Sequence, residues 1–170
     1  MKQNKFICII FICFLFPKVS FSNDQSDALK FIEDLGEKAV EMLADESLNA
    51  ENKIKKFEQL LDVGFDVPLI ARYALGKYWR KTDKNKRNAY VLAFRKFIVD
   101  SYATRLGQFG GEKFYTKGVR DDGKRGLVVN SIIETPNGTK VKVDWRVRKT
   151  KESFRIYDVI IEGISMVITQ

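Results

Sequence analysis

The spacing of apolar residues changes once along the chain, at Gly110-Gly111, and this change restricts the fold more than any other feature. Before the two glycines, apolar residues recur every three to four positions, as on one face of an α-helix. After them, apolar and polar residues alternate, as on the two faces of a β-strand. The sequence therefore predicts an α+β fold in which N-terminal helices pack on a curved antiparallel sheet to form a cone.

The first two helices are bounded by capping residues. Ser26 or Asp27 can cap the first helix, whose apolar face then runs on as far as Met42. The second helix follows Asn49, and we expect Gly64 to end it in the left-handed conformation that glycine adopts easily. These signals predict two consecutive helices with apolar faces.

The third helix has the strongest local signals. Asp66 and Pro68 are typical of a cap and a first-turn proline, and Gly76 is a natural end, so the helix is predicted over residues 67–75. A short helical continuation is expected to carry Tyr78 and Trp79. The chain is therefore expected to turn at the glycine without leaving helical structure.

A long fourth helix is expected between the caps Thr82 and Asp83 and its end at Gly107. An aromatic-rich stripe runs along this helix, and we expect it to face the inner side of the sheet. The stripe consists of Tyr90, Phe94, Phe97, Ile98, Tyr102 and Leu106.

About four strands are predicted in the remainder, over residues 113–119, 127–133, 141–147 and 154–161. The tight turn Pro136-Asn137-Gly138 joins the second to the third. One face of the third strand is apolar, and its other face is expected to meet water. That polar face consists of Lys140, Lys142, Asp144, Arg146 and Arg148.

The N-terminus has the pattern of an export signal. Lys2 and Lys5 form a basic start, residues 6–16 are apolar, and Ser20-Phe21-Ser22 fits a small-x-small cleavage site. The alternative is a retained amphipathic or anchoring helix, but no polar face interrupts the apolar run. We expect residues 1–22 to be a signal peptide cleaved near Ser22, and residues 23–170 to form a single domain.

The residues after this segment exclude several kinds of chemistry. The chain has no histidine, and both cysteines, Cys8 and Cys13, lie within the predicted signal. Nucleophiles activated by histidine, thiolate chemistry and histidine or thiolate metal sites are therefore excluded, and no cofactor is expected. The net charge of +8 becomes +5 without the three lysines of the signal. A nucleic-acid partner is not expected, because we interpret the basic residues as spread along the chain and the chain as exported.

Two acidic positions remain as candidate sites. Asp121-Asp122-Gly123 could begin a calcium loop, but a polar turn between strands explains it better, and no metal site is predicted. Asp158 alternates with Phe154, Ile156 and Ile160, so it is expected on an apolar face. It is either a pocket acid or a carboxylate satisfied by backbone donors or by an arginine such as Arg72.

Three segments of the sequence resemble the MlaC family of periplasmic phospholipid-binding proteins. The run FDVPLIARYALGKYWR at residues 65–80 is similar to the signature of that family. Residues 94–106 resemble its long helix, and residues 157–167 resemble its last strand and the turn beyond. The family pattern continues past Ile168-Thr169-Gln170 with an arginine and a further helix, so the resemblance implies that this C-terminal helix is missing here.

The resemblance implies a cone-like, NTF2-like fold with an apolar cavity and phospholipid as cargo. It also implies a shuttle between an outer-membrane lipoprotein complex and an inner-membrane ABC transporter complex with a membrane-anchored substrate-binding subunit. Such a carrier would maintain the lipid asymmetry of the outer membrane without catalysing a reaction.

Ten residues are candidates for the wall of the lipid cavity, although all would serve equally well as core. They are Leu75, Trp79, Phe94, Phe97 and Tyr102 on the helices, and Val143, Trp145, Val147, Tyr157 and Val159 on the sheet. Two other functions remain open: a small cone-shaped enzyme that uses Asp158 as acid or base, and a partner-binding module with a filled core.

Overall fold

The computed structural model describes residues 21–167, and the predicted export segment lies outside them except for Phe21 and Ser22. Among these residues, none of the helices is both long enough and apolar enough to cross a membrane. The helices are α1 (Phe21–Ala44), α2 (Ala50–Gly64), α3 (Val67–Leu75), α4 (Lys77–Lys81) and α5 (Lys84–Ala103).

The sheet confirms the predicted α+β order, with all neighbouring strands antiparallel and in sequence order. Its strands are β1 (Lys113–Asp121), β2 (Leu127–Glu134), β3 (Lys140–Lys149), β4 (Phe154–Ile161) and β5 (Ile164–Ser165). The last of these was not predicted. It is a two-residue strand that folds back on the end of β4.

Three helices begin at a side-chain cap, and the sequence predicted two of these caps, Asp66 and Asp83, together with a helix that follows Asn49. Asn49 accepts a hydrogen bond from the Asn52 amide at 2.9 Å, and Asp66 accepts one from the Leu69 amide at 3.1 Å. Asp83 does the same for α5. Each cap satisfies an amide that the first turn of its helix leaves without a partner.

Two helix boundaries differ from the prediction. Helix α1 begins at Phe21, so Ser26 and Asp27 lie inside it and do not cap it. Gly64 ends α2, but it does not have a positive φ, and Phe65 after it is extended. A Cβ on Gly64 would lie 2.6 Å from Cδ2 of Leu35 on α1, so the Leu35 side chain would have to shift to make room for it. The close approach of α1 and α2 therefore favours glycine at this position.

Helix α5 is also shorter than predicted. It ends at Ala103, and residues 106–108 form a separate 3₁₀ turn in which Leu106 is buried. At the start of the same region, Gly76 has φ of 55° and joins α3 to α4 as predicted. The turn at Gly76 therefore joins two helices, and the 3₁₀ turn at residues 106–108 leads from α5 towards the sheet.

A β-bulge at Tyr157 changes which side chains share a face of the sheet. Asp158 pairs with Arg146, whereas Ile156 pairs with Val147, so Tyr157 is an extra residue in β4. The prediction that Asp158 shares a face with Ile156 is therefore wrong. Arg146 was expected to meet water, but it is buried against Asp158.

Candidate functional site

The buried side chains form two hydrophobic clusters. The sheet cluster packs α1 against one face of the sheet and consists of Ala28, Ile32, Val129, Val147, Phe154 and Ile156. The helical cluster joins α2, α3 and α5 and consists of Leu61, Val67 and Val99, with Phe57, Phe94 and Ile98 packed against it. Phe65 packs against both clusters. It therefore lies where the helices meet the sheet.

Four of the predicted wall residues on the sheet share the face that α1 covers. The register aligns Trp145 with Val159, and it places Val143 and Val147 on the same side of β3. The Trp145 indole N–H donates to Ser131 Oγ at 2.9 Å, and its ring meets that of Phe114 edge-on at 6.2 Å. These side chains belong to a well-packed layer beneath α1.

The predicted wall residues on the helices lie apart from this layer. Phe94 packs in the helical cluster and against the ring of Tyr90 at 5.8 Å. Tyr102 contacts Phe57 of α2, with ring centroids 5.9 Å apart, and Phe97 is 60% exposed. Helix α5 packs mainly on α2 and α3. The expectation that its stripe faces the inner side of the sheet is therefore wrong, because the helix packs on α2 and α3 and leaves Phe97 exposed.

Leu75 and Trp79 flank the turn between α3 and α4, and both are half-buried. The guanidinium of Arg87 lies 5.3 Å from the ring centre of Trp79, and its Nε donates to the Trp79 carbonyl at 2.8 Å. The ten candidates are thus divided between two parts of the molecule, and contact with a lipid stays a prediction for each.

Tyr157 is the candidate that links the two parts. Its ring lies 6.1 Å from that of Tyr73 on α3, and its hydroxyl donates to the Arg125 carbonyl. Burial raises the pKa of Tyr157 to about 12, although the positive charge of Arg146 opposes this shift. The phenol is therefore uncharged throughout the neutral range.

A buried ionic network occupies the face of the sheet opposite α1. Arg146 donates to Asp158 at 2.6 Å and to Asp122 at 2.9 Å, and all three side chains are nearly inaccessible. Asp158 also accepts from Ser165 Oγ at 2.7 Å and from the Val167 amide at 3.2 Å. The interpretation of Asp158 as a satisfied carboxylate is confirmed, but its partner is Arg146 and not Arg72.

The same network explains the acidic turn at residues 121–123. Burial opposes the charged form of Asp122, but the hydrogen bond from Arg146 and the charges of Arg125, Arg146 and Arg120 outweigh it and lower the pKa of Asp122. Within residues 21–167, there is no group of three or more histidine, cysteine, aspartate or glutamate side chains that could hold a metal ion. The turn, which contains a short 3₁₀ segment, ties the β1–β2 connection to β3.

Two concave regions stand out on the surface. One, of about 440 Å³, lies between the α2–α3 junction and the β3–β4 hairpin and is bordered by Asp62, Asp66, Arg148 and Arg155. The other, of about 370 Å³, lies between α1 and α2 around Met42. None of the ten candidate wall residues lines either region. Neither concavity is the predicted apolar cavity.

A comparison with known families decides the relationship of the chain. A family model described as MlaC protein matches residues 33–170. The chain belongs to the MlaC family. The match includes all three segments in which the sequence resembles that family, as well as the second half of α1 and the whole sheet.

The fold of this MlaC-family chain is similar to a solved structure, that of the phospholipid-binding protein from Ralstonia solanacearum in complex with a phospholipid. The two share 21% sequence identity with a TM-score of 0.72, over 84% of this chain and 82% of the other. At this identity the likeness establishes a common fold. It agrees with the order of helices and strands described above.

One feature of this MlaC-family chain was missed in the sequence. The basic residues are not evenly spread, since residues 67–99 contain nine of them and a single acidic residue, Asp83. Residues 77–87, hereafter the basic segment, form α4 and the start of α5. Counting charge in successive windows of the sequence would have found this segment.

Proposed function

We propose that this MlaC-family chain is a periplasmic phospholipid carrier and not an enzyme. It takes the acyl chains of one lipid out of water and shuttles between an outer-membrane lipoprotein complex and an inner-membrane ABC transporter complex. The observation that carries the proposal is the family match over residues 33–170. The fold shared with a protein solved in complex with phospholipid supports it.

The physical task of such a carrier is to shield hydrocarbon. Each methylene left in water costs roughly 0.8 kcal/mol, so two acyl chains with about thirty methylenes face a barrier on the order of 20 kcal/mol. Apolar side chains that surround the acyl chains remove most of this cost. The headgroup can remain in water, and the task requires neither a catalytic group nor a cofactor.

The distribution of exposed apolar side chains favours the helical side as the place of uptake. Tyr73 on α3 and Phe97 and Tyr102 on α5 are all about half exposed or more, although they are large and aromatic. Exposed apolar surface of this kind is typical of a binding surface. We therefore place the acyl chains beside the helical cluster, where these exposed aromatic side chains of α3 and α5 lie.

The alternative function as an enzyme has no support at Asp158. Its two carboxylate oxygens accept hydrogen bonds from Arg146, Ser165 and Val167, and the residue is 2% exposed. A general acid or base must reach its substrate. This carboxylate instead fixes β4 to β3 and to the segment after β5.

Lipid extraction tests the proposal directly. The full chain is purified from a bacterial periplasm without detergent, extracted with organic solvent and analysed by mass spectrometry. We expect close to one phospholipid per protein molecule. Folded protein without phospholipid would contradict the carrier function.

A pair of substitutions on α5 tests the place of uptake. Phe97→Gln should lower the lipid content about tenfold, because one aromatic contact with the acyl chains is worth roughly 1.5–3 kcal/mol. Leu92→Gln is the matched control, since Leu92 is 70% exposed on the same helix and is not a candidate wall residue. Equal lipid content in the two variants would show that the acyl chains lie elsewhere.

A further inference from the structure

The two halves of the helical region have opposite charge. Residues 23–66, which include α1 and α2, contain twelve acidic and five basic residues. Residues 67–99, which include α3, α4 and most of α5, contain nine basic residues and one acidic residue. The molecule therefore has a basic region on the helices to which we assign lipid uptake.

The basic segment is the densest part of that region. It holds Lys77, Arg80, Lys81, Lys84, Lys86 and Arg87, and its net charge is +5. Its single carboxylate, Asp83, is engaged as the cap of α5 and pairs with Lys86 at 3.3 Å. Across residues 21–167, no carboxylate lies within 4.0 Å of the side-chain nitrogens of Arg80, Lys81 or Lys84. Their charges are free to meet an external anion.

Aromatic rings are interleaved with these charges. Tyr78 is 57% exposed, and Nζ of Lys77 lies 5.4 Å from its ring centre. Trp79 holds Arg87 in the same manner. Rings with one polar edge lie at the level of lipid headgroups in membrane proteins, and long basic side chains extend to the phosphates around them.

We propose that the basic segment docks this protein on the surface of an anionic phospholipid bilayer. The proposal rests on the carrier function, because the two complexes between which the carrier shuttles are held at membranes. Leu75 lies two residues before the basic segment and Trp79 lies within it, and both are candidate wall residues. Docking therefore brings the uptake region to the level of the headgroups.

A bilayer fits the segment better than an acidic protein does. The side chains of Arg80, Lys81 and Lys84 are exposed and make no hydrogen bonds within residues 21–167. Mobile lipids can rearrange to meet such charges, and each basic residue close to an anionic surface strengthens binding roughly fivefold. The exposed Tyr78 ring can also insert at the level of the lipid headgroups.

Vesicle flotation tests the proposal with a matched pair of triple variants. The full chain is mixed with phosphatidylcholine vesicles, with or without about a third of phosphatidylglycerol, at low and high salt. We expect binding only to the anionic vesicles and a loss of binding at high salt. Arg80→Gln/Lys81→Gln/Lys84→Gln should weaken this binding on the order of a hundredfold.

The control removes the same charge from the sheet, as Lys113→Gln/Lys124→Gln/Lys142→Gln, and should bind almost as tightly as the parent. Equal losses in both triple variants would overturn the proposal, because net charge would then explain binding. Retention on a polyglutamate resin without vesicle binding would also overturn it in favour of an acidic protein. Lipid content, measured in the same samples, tests the carrier function separately and should be unchanged by either triple variant.

Discussion

The sheet cluster and the helical cluster differ in how completely they bury their side chains. Beneath α1, Val129, Val147 and Ile156 are fully inaccessible, and their neighbours form one continuous layer. The helical cluster has three buried members, Leu61, Val67 and Val99, and large aromatic side chains remain exposed on α3 and α5 around it. The difference suggests a division of roles, in which α1 and the sheet supply stability and the helices supply a surface that can rearrange.

The same contrast holds for the ion pairs. Arg146 on the sheet is buried between two carboxylates, whereas Arg95 on α5 makes a bidentate pair with Asp62 that remains open to water. A buried pair that loses one partner leaves an uncompensated charge in a medium of low polarity. An exposed pair contributes little, because water replaces the lost partner.

The largest effect is therefore expected from Arg146→Met. It should lower the free energy of unfolding by about 3–5 kcal/mol, because Asp122 and Asp158 would remain buried without their cation. Arg95→Met makes the same chemical change in the helical region and should cost less than about 1 kcal/mol. Urea denaturation followed by circular dichroism measures both, and similar losses would remove the contrast between the two regions.

A second pair of substitutions compares apolar packing. Ile156→Ala should destabilise the protein by about 2–5 kcal/mol, since the site is fully buried and a cavity would remain. Ile98→Ala removes the same atoms from a half-buried position on α5 and should cost clearly less. Thermal and urea unfolding measure the difference. A larger loss at Ile98 would mean that the helical cluster, and not the sheet, dominates stability.

The smallest effect concerns Tyr157, at the boundary of the two regions. Its pKa is raised from about 10 to about 12, so between these values the unfolded chain has lost a proton that the folded chain retains. Stability should be constant below about pH 10 with respect to this group and fall by about 2–3 kcal/mol as the pH rises towards 12. Urea denaturation across this pH range should show a shallower fall for Tyr157→Phe, whereas Tyr115→Phe, on the exposed edge strand β1, should behave as the parent.

Features with local causes could be predicted from the sequence. The caps Asp66 and Asp83, the start of the second helix after Asn49 and the break at Gly76 depend on neighbouring residues only, and all were predicted correctly. The left-handed conformation expected for Gly64 was wrong, because the contact that favours a glycine there is with Leu35 on another helix. A sequence pattern cannot show that two distant segments approach each other this closely.

The bulge at Tyr157 had a similar consequence for the candidate site. Strict alternation placed Asp158 with Ile156, whereas one extra residue in β4 turned it towards Arg146. Apolar periodicity also indicated that Phe94 is packed against other side chains, but it could not show that these side chains belong to α2 and α3. The sequence therefore identified apolar side chains but not how the stacking of the helices groups them, and their contact with a lipid stays a prediction.

The uneven charge of the helices also affects how the molecule moves before any contact is made. The acidic residues of α1 and α2 and the basic residues of α3 to α5 separate opposite charges within the helical layer, which gives this layer a dipole. Near a negatively charged surface, such a dipole experiences a torque that turns its positive end forward. At physiological ionic strength this field reaches only about 8 Å, so the reorientation takes place in the last step of diffusion.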